Sequence, residues 1–399
     1  MPPQSISLTP VSPRHPPSYT TPPSHHINSP ASSFKNPWPS FQRKSPLDAA
    51  KTRWFSSSSK NFVPVPSNIS TIIPINKPDF GSDRKGLKAT WIGHASFLVE
   101  TSDGIVILLD PVWSHKVGPY GVVGPVRFSR PPCSIDEIPH VDAVLISHDH
   151  YDHLDSWTLS EILKKQKGDL HFLCALGVKS ELLHLGVGIK ESQVTQLDWW
   201  DGIRLSKENG AGVNSVDLIC TPAQHSSGRA PWNFSASLWC SWVIRESSST
   251  SSPSPSSLDT NESPTSKSLY FAGDTGFCSV DSDDQVSHHA APHPPCPAFE
   301  EIGTLYGPFD LALLPIGCFQ PRSFMSGVHS SPHDSVAIHK AIKSKRSIGM
   351  HYGTFRGSIS AHYEPVTEPV ERWRQAVEKE GLEWGVDADV CSIGDTVVV

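Results

Sequence analysis

Short apolar runs separated by polar and turn-forming residues fill the chain from Lys88 onward. Runs of this length, rich in Val, Ile, Leu and Phe and bounded by Gly, Pro or Asp, are typical of β-strands, and several stretches between them have helical spacing. The predicted strands are 88–100, 105–111, 143–148, 170–176, 216–222, 237–244, 268–274, 309–315 and 347–351. The predicted helices are 156–167, 178–185, 297–305, 333–345 and 368–380.

Several predicted strands have no polar face. IVILLDP at 105–111 and FDLALLP at 309–315 are apolar at consecutive positions, so side chains on both faces of their sheet must be buried. Helices are available between the strands to cover those faces. The pattern therefore predicts an α/β fold built of stacked layers.

The first 60 residues have a different composition from the rest. Eleven of the 37 prolines lie within residues 1–40, and residues 1–60 hold seven Lys+Arg against one acid. We predict a disordered, basic Pro/Ser-rich leader over 1–60, dispensable for catalysis, and one folded domain over 61–399. Serine- and proline-rich stretches near 246–267 and 279–296 predict flexible insertions in that domain.

Charge and cysteine usage narrow the class of protein. Residues 61–399 carry 26 Lys+Arg against 39 Asp+Glu, a net charge of −13 that argues against nucleic acid as a partner. No apolar run reaches the roughly 18 residues of a spanning helix, which leaves contact with a membrane surface open. The eight cysteines form no C-x-x-C pair and are expected to be reduced core thiols.

The leader allows two interpretations. Its basic, serine-rich and acid-poor composition is typical of a mitochondrial transit peptide. A plain disordered tail explains the same residues, and the early prolines would break an amphipathic targeting helix. An intracellular location, with the mitochondrion as one candidate, is the expectation that covers both.

The strongest chemical signal is SHDHYDHLD at 147–155, directly after the predicted strand AVLIS. It places four metal-ligand side chains within six positions: His148, His150, Asp152 and His153. Imidazole nitrogens and carboxylate oxygens are the ligands of Zn²⁺ and similar ions, and α/β proteins place their sites at the carboxyl ends of strands. Alternate side chains can reach one ion while the adjacent Asp–His pair reaches a second.

So compact a motif leaves two ions short of ligands. Three further candidates each follow a predicted strand: His225 after VDLICTPAQ, Asp274 after SLYFAG, and His351 after SIGM. His94 in GHAS is expected to support its loop rather than to bind metal. Asp149 and Asp155 flank the motif, and either could orient a ligand histidine.

Many segments, in one order, resemble a known family. WIGHASFLVE, LLDPVWS, VDAVLISHDHYDHLD, LDWWD, YFAGDTGFC, GPFDLALLPIG and MHYGTF are similar to the N-acyl-phosphatidylethanolamine-hydrolysing phospholipases D of the metallo-β-lactamase superfamily. The resemblance covers about residues 85–399. It implies a four-layer αββα sandwich with a dinuclear zinc site.

Site residues follow from the resemblance position by position. It implies that one Zn²⁺ is bound by three histidines and a second by an Asp–His–His set, with one aspartate bridging the two. The implied sets are His148, His150 and His225; Asp152, His153 and His351; and bridging Asp274. His329 in GVHSSPHDSV matches a substrate-site histidine, and we take it with Asp152 and Asp274 as catalytic. Val328 and Gln320 depart from the family, where Gln and Glu are expected.

The implied activity is hydrolysis of N-acyl-phosphatidylethanolamine to N-acylethanolamine and phosphatidic acid, with a phospholipid substrate and peripheral membrane contact. A homodimer is one candidate assembly. A soluble lactonase or small-molecule phosphodiesterase of the same fold would share all seven ligands, and a metal-binding scaffold without turnover is the third alternative. An apolar approach to the site would favour the lipid substrate. The candidates for it are Trp113, Trp199, Trp200, Trp232 and Phe324.

Overall fold

Two β-sheets stacked face to face carry the core of the protein. The computed structural model describes residues 6–54, 61–166, 170–208, 212–230, 232–247, 266–285, 292–357 and 359–399. The strands are β1 (Ile6–Val11), β2 (Lys88–Gly93), β3 (Ser96–Glu100), β4 (Val106–Leu109), β5 (Ala143–Ile146), β6 (His171–Ala175), β7 (Val194–Leu197), β8 (Gly202–Glu208), β9 (Val213–Thr221), β10 (Ser241–Ser247), β11 (Ser268–Phe271), β12 (Leu311–Pro315), β13 (Ser347–Met350), β14 (Ala388–Asp389) and β15 (Thr396–Val398). The helices are α1 (Pro46–Trp54), α2 (Ile69–Ile72), α3 (Ser156–Lys165), α4 (Val178–His184), α5 (Ala298–Leu305), α6 (Arg322–Met325), α7 (Pro332–Ala341) and α8 (Glu368–Lys379).

Both sheets are mixed. One has eight strands in the order β1-β8-β9-β10-β11-β12-β13-β14, and the other has seven in the order β15-β2-β3-β4-β5-β6-β7. Pairing is parallel from β4 to β7 and from β11 to β14, and antiparallel elsewhere. The parallel strands of each sheet therefore end at a common edge, which gathers the loops that follow them.

Side chains of β5 show why its run is apolar throughout. Ala143 and Leu145 belong to the large core cluster that includes residues of the other sheet, whereas Val144 and Ile146 pack with residues of α3 and α4. Alternate side chains thus enter two different cores, one between the sheets and one under the helices. Helices α5, α7 and α8 contribute to the large cluster from the other side. The layered α/β sandwich is confirmed.

The predicted run 88–100 is a hairpin rather than one strand. Strands β2 and β3 pair antiparallel, and the chain reverses at Gly93 and His94, which both have positive φ. The residues of this turn are buried like those of the strands beside it, so the sequence pattern does not mark where the first strand ends. Strands β7 and β8 were missed, since their alternation of apolar and polar residues is weak.

The N-terminal segment, residues 6–54, differs from the disordered leader expected over 1–60. Strand β1 extends the eight-stranded sheet by pairing with β8, and Phe34 is buried in the large core cluster. Its composition is poor in apolar residues, but it adds a few large ones to a core that already exists, so it need not form a core of its own. We therefore propose that the hydrolase domain begins at β1, ahead of the boundary at residue 61.

The two predicted insertions fall largely outside the described residues, which exclude 248–265 and 286–291. Close to the second gap, Val280 and Cys296 are buried. In the described part of the chain, every helix is too short or too polar to cross a membrane.

Candidate metal centre

The predicted ligands all lie at the edge where strands of the two sheets end. The motif at 147–155 follows β5, and His225, Asp274 and His351 follow β9, β11 and β13. His94 occupies the turn between β2 and β3 and reaches the same edge. The structure brings all seven predicted ligands together, along with His94 and His329.

Hydrogen bonds of its own backbone and of two of its aspartates fix the conformation of the motif loop. The carbonyl of His150 accepts hydrogen bonds from the backbone N–H groups of His153 and Leu154, at 3.1 and 2.9 Å. Asp149 accepts from the Gly228 N–H and the Ser237 hydroxyl, while the Asp155 side chain caps α3 by accepting from the Trp157 N–H. These flanking carboxylates shape the loop, and among the hydrogen bonds of the described residues neither of them bonds to a ligand ring.

Three imidazoles face one another in the first cluster. His148 Nε2 lies 2.8 Å from His150 Nδ1, and His225 Nε2 lies 3.3 Å from the same atom. The Nδ1–H of His225 donates to the Val328 carbonyl at 2.8 Å, because a carbonyl can only accept. Its Nε2 therefore turns a lone pair toward the other rings.

The same reasoning applies to His148. The Ser147 hydroxyl donates to Asp110 Oδ2 at 2.5 Å, so the 2.9 Å contact between Ser147 Oγ and His148 Nδ1 has the imidazole as donor. His148 Nε2 is then also unprotonated. One proton on His150 Nδ1 can be donated fully to only one of these two lone pairs, whereas a cation among the three nitrogens can bind both, so this cluster fits a metal ion.

The second cluster combines His94, Asp152, His153 and His351, whose ligand atoms lie within 4.8 Å of one another. His94 Nε2 is 2.9 Å from Asp152 Oδ2, and His153 Nε2 and His351 Nε2 are 3.8 and 3.9 Å from the same oxygen. His94, which was expected to support its own loop, thus also contacts a predicted ligand and lies among the ligand atoms of this cluster.

Asp274 lies between the two clusters. Its Oδ2 is 3.2 Å from His153 Nε2 and 3.7 Å from His225 Nε2, while its Oδ1 is 2.9 Å from His351 Nε2. One carboxylate thus touches ligands of both sets, which is the placement expected of a bridging group. Burial alone would raise its pKa, but His153 and His351 hold that pKa well below the usual carboxyl range.

Buried polar atoms without a hydrogen-bond partner test whether the residues fit metal ions. Within the described part of the chain, such atoms concentrate at this edge: His94 Nδ1, His153 Nε2, Asp274 Oδ1, His329 Nδ1 and both ring nitrogens of His351. Burial is costly for polar atoms left unsatisfied, so a group of them indicates a missing ligand. Burial also lowers the pKa of His148 and His225 well below the usual value, which favours the neutral ring that a metal requires.

One orienting carboxylate escaped the sequence analysis. Asp110, fully buried after β4, lies 2.8 Å from His153 Nδ1 and accepts from both the N–H and the hydroxyl of Ser147. It thereby fixes His153 directly and His148 through Ser147. The sequence does contain a signal for this role, because Asp110 follows an apolar strand directly, as the predicted ligands do. The sequence predicts Asp149 or Asp155 for this role, because both adjoin the ligand histidines.

The centre opens into a cavity of about 390 Å³. His329 lies in its wall, with Nδ1 3.9 Å from Asp274 Oδ2. Of the five aromatic residues proposed for an apolar approach, Phe324 lines this cavity, whereas Trp113, Trp199 and Trp200 are core residues and Trp232 is exposed. Nine further apolar residues line this cavity: Val117, Pro125, Phe128, Met325, Val328, Phe355, Ile359, Val366 and Pro369.

The N-terminal segment supports the centre from behind. Asn36 Nδ2 donates to the His225 carbonyl at 2.7 Å, and the Ser40 hydroxyl donates to the Gln224 side chain. Gln224 in turn accepts at its carbonyl from the Gly276 N–H, two residues after Asp274. A segment expected to be dispensable is thus bonded to the loops that carry two of the ligands.

Comparison with known proteins agrees with this geometry. Residues 106–352 match the family model described as a beta-lactamase superfamily domain, so the chain belongs to that superfamily and is a metal-dependent hydrolase. A crystal structure of a possible metal-dependent hydrolase from Veillonella parvula shares the fold, with a TM-score of 0.51 and 16% identity over 79% of this chain and 100% of that one.

Within the superfamily, the chain shares a family with "N-acyl-phosphatidylethanolamine-hydrolyzing phospholipase D 1" of Caenorhabditis elegans. The two are 32% identical over 76% of this chain and 73% of that protein. The Saccharomyces cerevisiae protein "N-acyl-phosphatidylethanolamine-hydrolyzing phospholipase D, mitochondrial" is 26% identical over 90% of this chain and 73% of its own length.

Proposed function

We propose that the protein is a zinc-dependent phosphodiesterase of the phospholipase D type that hydrolyses N-acyl-phosphatidylethanolamine. The proposal rests on one observation: the two clusters of candidate metal ligands open into a cavity with mainly apolar walls. The names of the nematode and yeast relatives supply the lipid class. A soluble lactonase or phosphodiesterase would share the clusters but would have no need of the apolar walls.

Each cluster is assigned one Zn²⁺, giving two per chain. His148, His150 and His225 would hold the first ion, and Asp152, His153 and His351 would hold the second. Asp274 would serve both ions, since it approaches ligands of both clusters. All seven are imidazole or carboxylate ligands, the donor types found at catalytic zinc sites.

Two such ions supply a nucleophilic water at neutral pH and compensate the charge of the phosphodiester. The water oxygen bonds to phosphorus and the bond from phosphorus to the ethanolamine oxygen breaks, so that oxygen leaves with a proton as N-acylethanolamine. Burial lowers the pKa of His329 to about 4, although Asp274 acts in the opposite direction. The ring is therefore neutral at pH 7 and can donate one hydrogen bond to a phosphoryl oxygen.

Peripheral membrane contact is supported by a loop at the cavity mouth. In the loop 115–127, backbone hydrogen bonds join Val117 to Pro125 and Arg127 to His115, and Val117 and Pro125 also line the cavity. The tip of this loop exposes large apolar residues: Tyr120 (98%), Val122 (66%), Val123 (66%) and Val126 (46%). An exposed apolar patch of this kind indicates a binding surface, and a bilayer that holds the substrate is the partner that fits.

Mitochondrial residence and homodimer formation stay predictions. The yeast relative is named as mitochondrial, but in this protein the segment that suggests a transit peptide pairs with β8 through β1 and buries Phe34 in the core. Fusion of residues 1–60 to a fluorescent reporter tests targeting: mitochondrial import supports it, and a diffuse signal opposes it.

Hydrolysis in ¹⁸O-water tests the reaction. Purified full-chain protein with Zn²⁺ is incubated with N-acyl-phosphatidylethanolamine, plain phosphatidylethanolamine, phosphatidylcholine and a lactone, and products are identified by mass spectrometry. We expect label in phosphatidic acid, none in N-acylethanolamine, and slower turnover of the other compounds. Asp274→Asn serves as the inactive control.

Other outcomes separate the alternatives. Diacylglycerol as product, or label in the ethanolamine, contradicts the stated bond cleavage. Equal rates on phosphatidylcholine remove the narrow substrate claim and leave a metallo-phosphodiesterase. Turnover of the lactone alone favours the soluble enzyme.

A further inference from the structure

A second group of histidine and carboxylate side chains lies where the N-terminal segment crosses the loop after β7. It consists of His25, His26 and Asp198, whose ligand atoms lie within 4.8 Å of one another. None of these three residues is among the described residues that line the catalytic cavity. The reaction proposed above makes no use of them.

Both imidazoles point at one carboxylate. His25 Nε2 lies 2.7 Å from Asp198 Oδ1, and His26 Nε2 lies 2.8 Å from Asp198 Oδ2. In spite of that short distance, His26 Nε2 is a buried atom without a hydrogen-bond partner in the described part of the chain. His153 Nε2 in the catalytic centre behaves in the same way: it lies 3.2 Å from Asp274 Oδ2 and yet has no hydrogen-bond partner among the described residues.

The three side chains are fixed by their surroundings. The His25 ring packs on Trp199 with centroids 4.1 Å apart, and Trp199 is stacked on Trp38 at 5.3 Å. The backbone around the histidines is fixed by the bond from Lys35 N–H to the His25 carbonyl and by the bridge between His26 and Phe34. A preformed arrangement lowers the ordering cost of binding an ion.

The electrostatic conditions suit a cation as well. His25 is 4% exposed, and Asp198 has a second carboxylate beside it, since its backbone N–H donates to Asp201 Oδ2. The Asp198 side chain is only 19% exposed, and a divalent ion among the three side chains would compensate its charge.

We propose that His25, His26 and Asp198 form a further metal site, for a divalent ion of the zinc class, that fastens the N-terminal segment to the domain. Two imidazoles and one carboxylate are a ligand set that Zn²⁺ accepts, with water in the remaining position. The site joins residues 172 positions apart in the chain. Its role is structural, and the proposal does not rest on the reaction assigned to the catalytic centre.

Metal content tests the proposal. The full chain and the variants His26→Ala, Asp198→Asn and His184→Ala are equilibrated with Zn²⁺, freed of excess metal and measured by inductively coupled plasma mass spectrometry. We expect the first two variants to hold one equivalent less than the unsubstituted protein. His184, an exposed histidine on α4, is the matched control and should hold the same amount.

Zinc-edge anomalous scattering from crystals of the unsubstituted protein gives an answer that needs no variant. A peak between His25 Nε2, His26 Nε2 and the Asp198 carboxylate supports the site even where a variant fails to fold. Unchanged metal content in both variants, or the lack of that peak in zinc-replete crystals, overturns it. Failure here leaves the metal of the catalytic centre in place, so the two proposals are distinguished.

Discussion

Removal of the N-terminal segment is expected to unfold the protein or strip metal from its catalytic centre. A variant that begins at Asn61 loses β1, the buried Phe34 ring and the hydrogen bond from Asn36 to the His225 carbonyl. It also uncovers the edge of β8. Each loss acts on the face of the domain that carries His225.

The magnitude follows from two of these contacts. Truncation of a buried phenylalanine to alanine costs about 3–5 kcal/mol, and Phe34 is 1% exposed. A buried carbonyl without its donor adds roughly 1–3 kcal/mol, and His225 is also 1% exposed. The combined loss is a large part of the roughly 5–15 kcal/mol by which most domains are stable.

A single substitution separates the effect on the metal from the effect on folding. Asn36→Ala removes the bond to the His225 carbonyl and leaves β1 and Phe34 in place. Loss of a partner of the ligand ring lowers metal affinity about 10–100-fold in known sites. Asn36 bonds to the backbone of the ligand residue, so we expect a loss toward the lower end of that range. Asn28→Ala is the control, because Asn28 lies in the same segment and bonds only to Ser32 and Ser33 among the hydrogen bonds described.

The assays are thermal unfolding and competition for Zn²⁺ with a chromophoric chelator. We expect a lowered midpoint for the variant that begins at Asn61, and weakened zinc binding with a near-normal midpoint for Asn36→Ala. A truncated protein with the unfolding midpoint and zinc affinity of the full chain would refute the reasoning and restore the view of a dispensable leader.

Three further predictions concern the centre, its surroundings and the membrane. Asp110→Asn should weaken zinc binding about 10–100-fold, because Asp110 orients a ligand ring, whereas Asp142→Asn, an equally buried change elsewhere, should not; equal effects contradict the role. Burial raises the pKa of Glu364 from 4.5 to about 7 despite three backbone N–H donors. The folded state therefore holds this proton more tightly than the unfolded state, and the free energy of unfolding should fall by about 3 kcal/mol as the pH rises from 4.5 to 7. Denaturation curves of Glu364→Gln should lack this fall, and the same pH dependence in the variant and the unsubstituted protein would disprove the prediction. Val122→Ser should reduce sedimentation with phospholipid vesicles while the control Val213→Ser does not; unchanged binding in both speaks against the loop.

The convergence of the candidate ligands was predictable, because each of them is marked by its local sequence. The motif at 147–155 places four ligands in six positions, and the remaining ligands each follow an apolar strand. Parallel strands bring their carboxyl ends to one edge, so strand prediction was enough to gather His225, Asp274 and His351. The tautomers could not be predicted, since they depend on partners such as the Val328 carbonyl.

Other features depend on contacts between distant parts of the chain. Phe34 and Asn36 lie in a Pro/Ser-rich stretch, and only the assembled domain shows that one enters the core and the other reaches His225. Trp199 and Trp200 were candidates for the cavity because an aromatic residue serves a core and a cavity equally well. The departure at Val328 proves compatible with the site, because its carbonyl orients His225 and its side chain lines the cavity.

The distribution of the ligands explains why the centre and the fold depend on each other. The motif belongs to the seven-stranded sheet, whereas His225, Asp274 and His351 belong to the eight-stranded sheet. Each cluster draws ligands from both sheets, so neither can form before the sheets have packed together. Metal bound at either cluster therefore stabilises the packed sandwich by mass action. The N-terminal segment stabilises the same arrangement, because it extends the eight-stranded sheet and is hydrogen-bonded to the loop of His225.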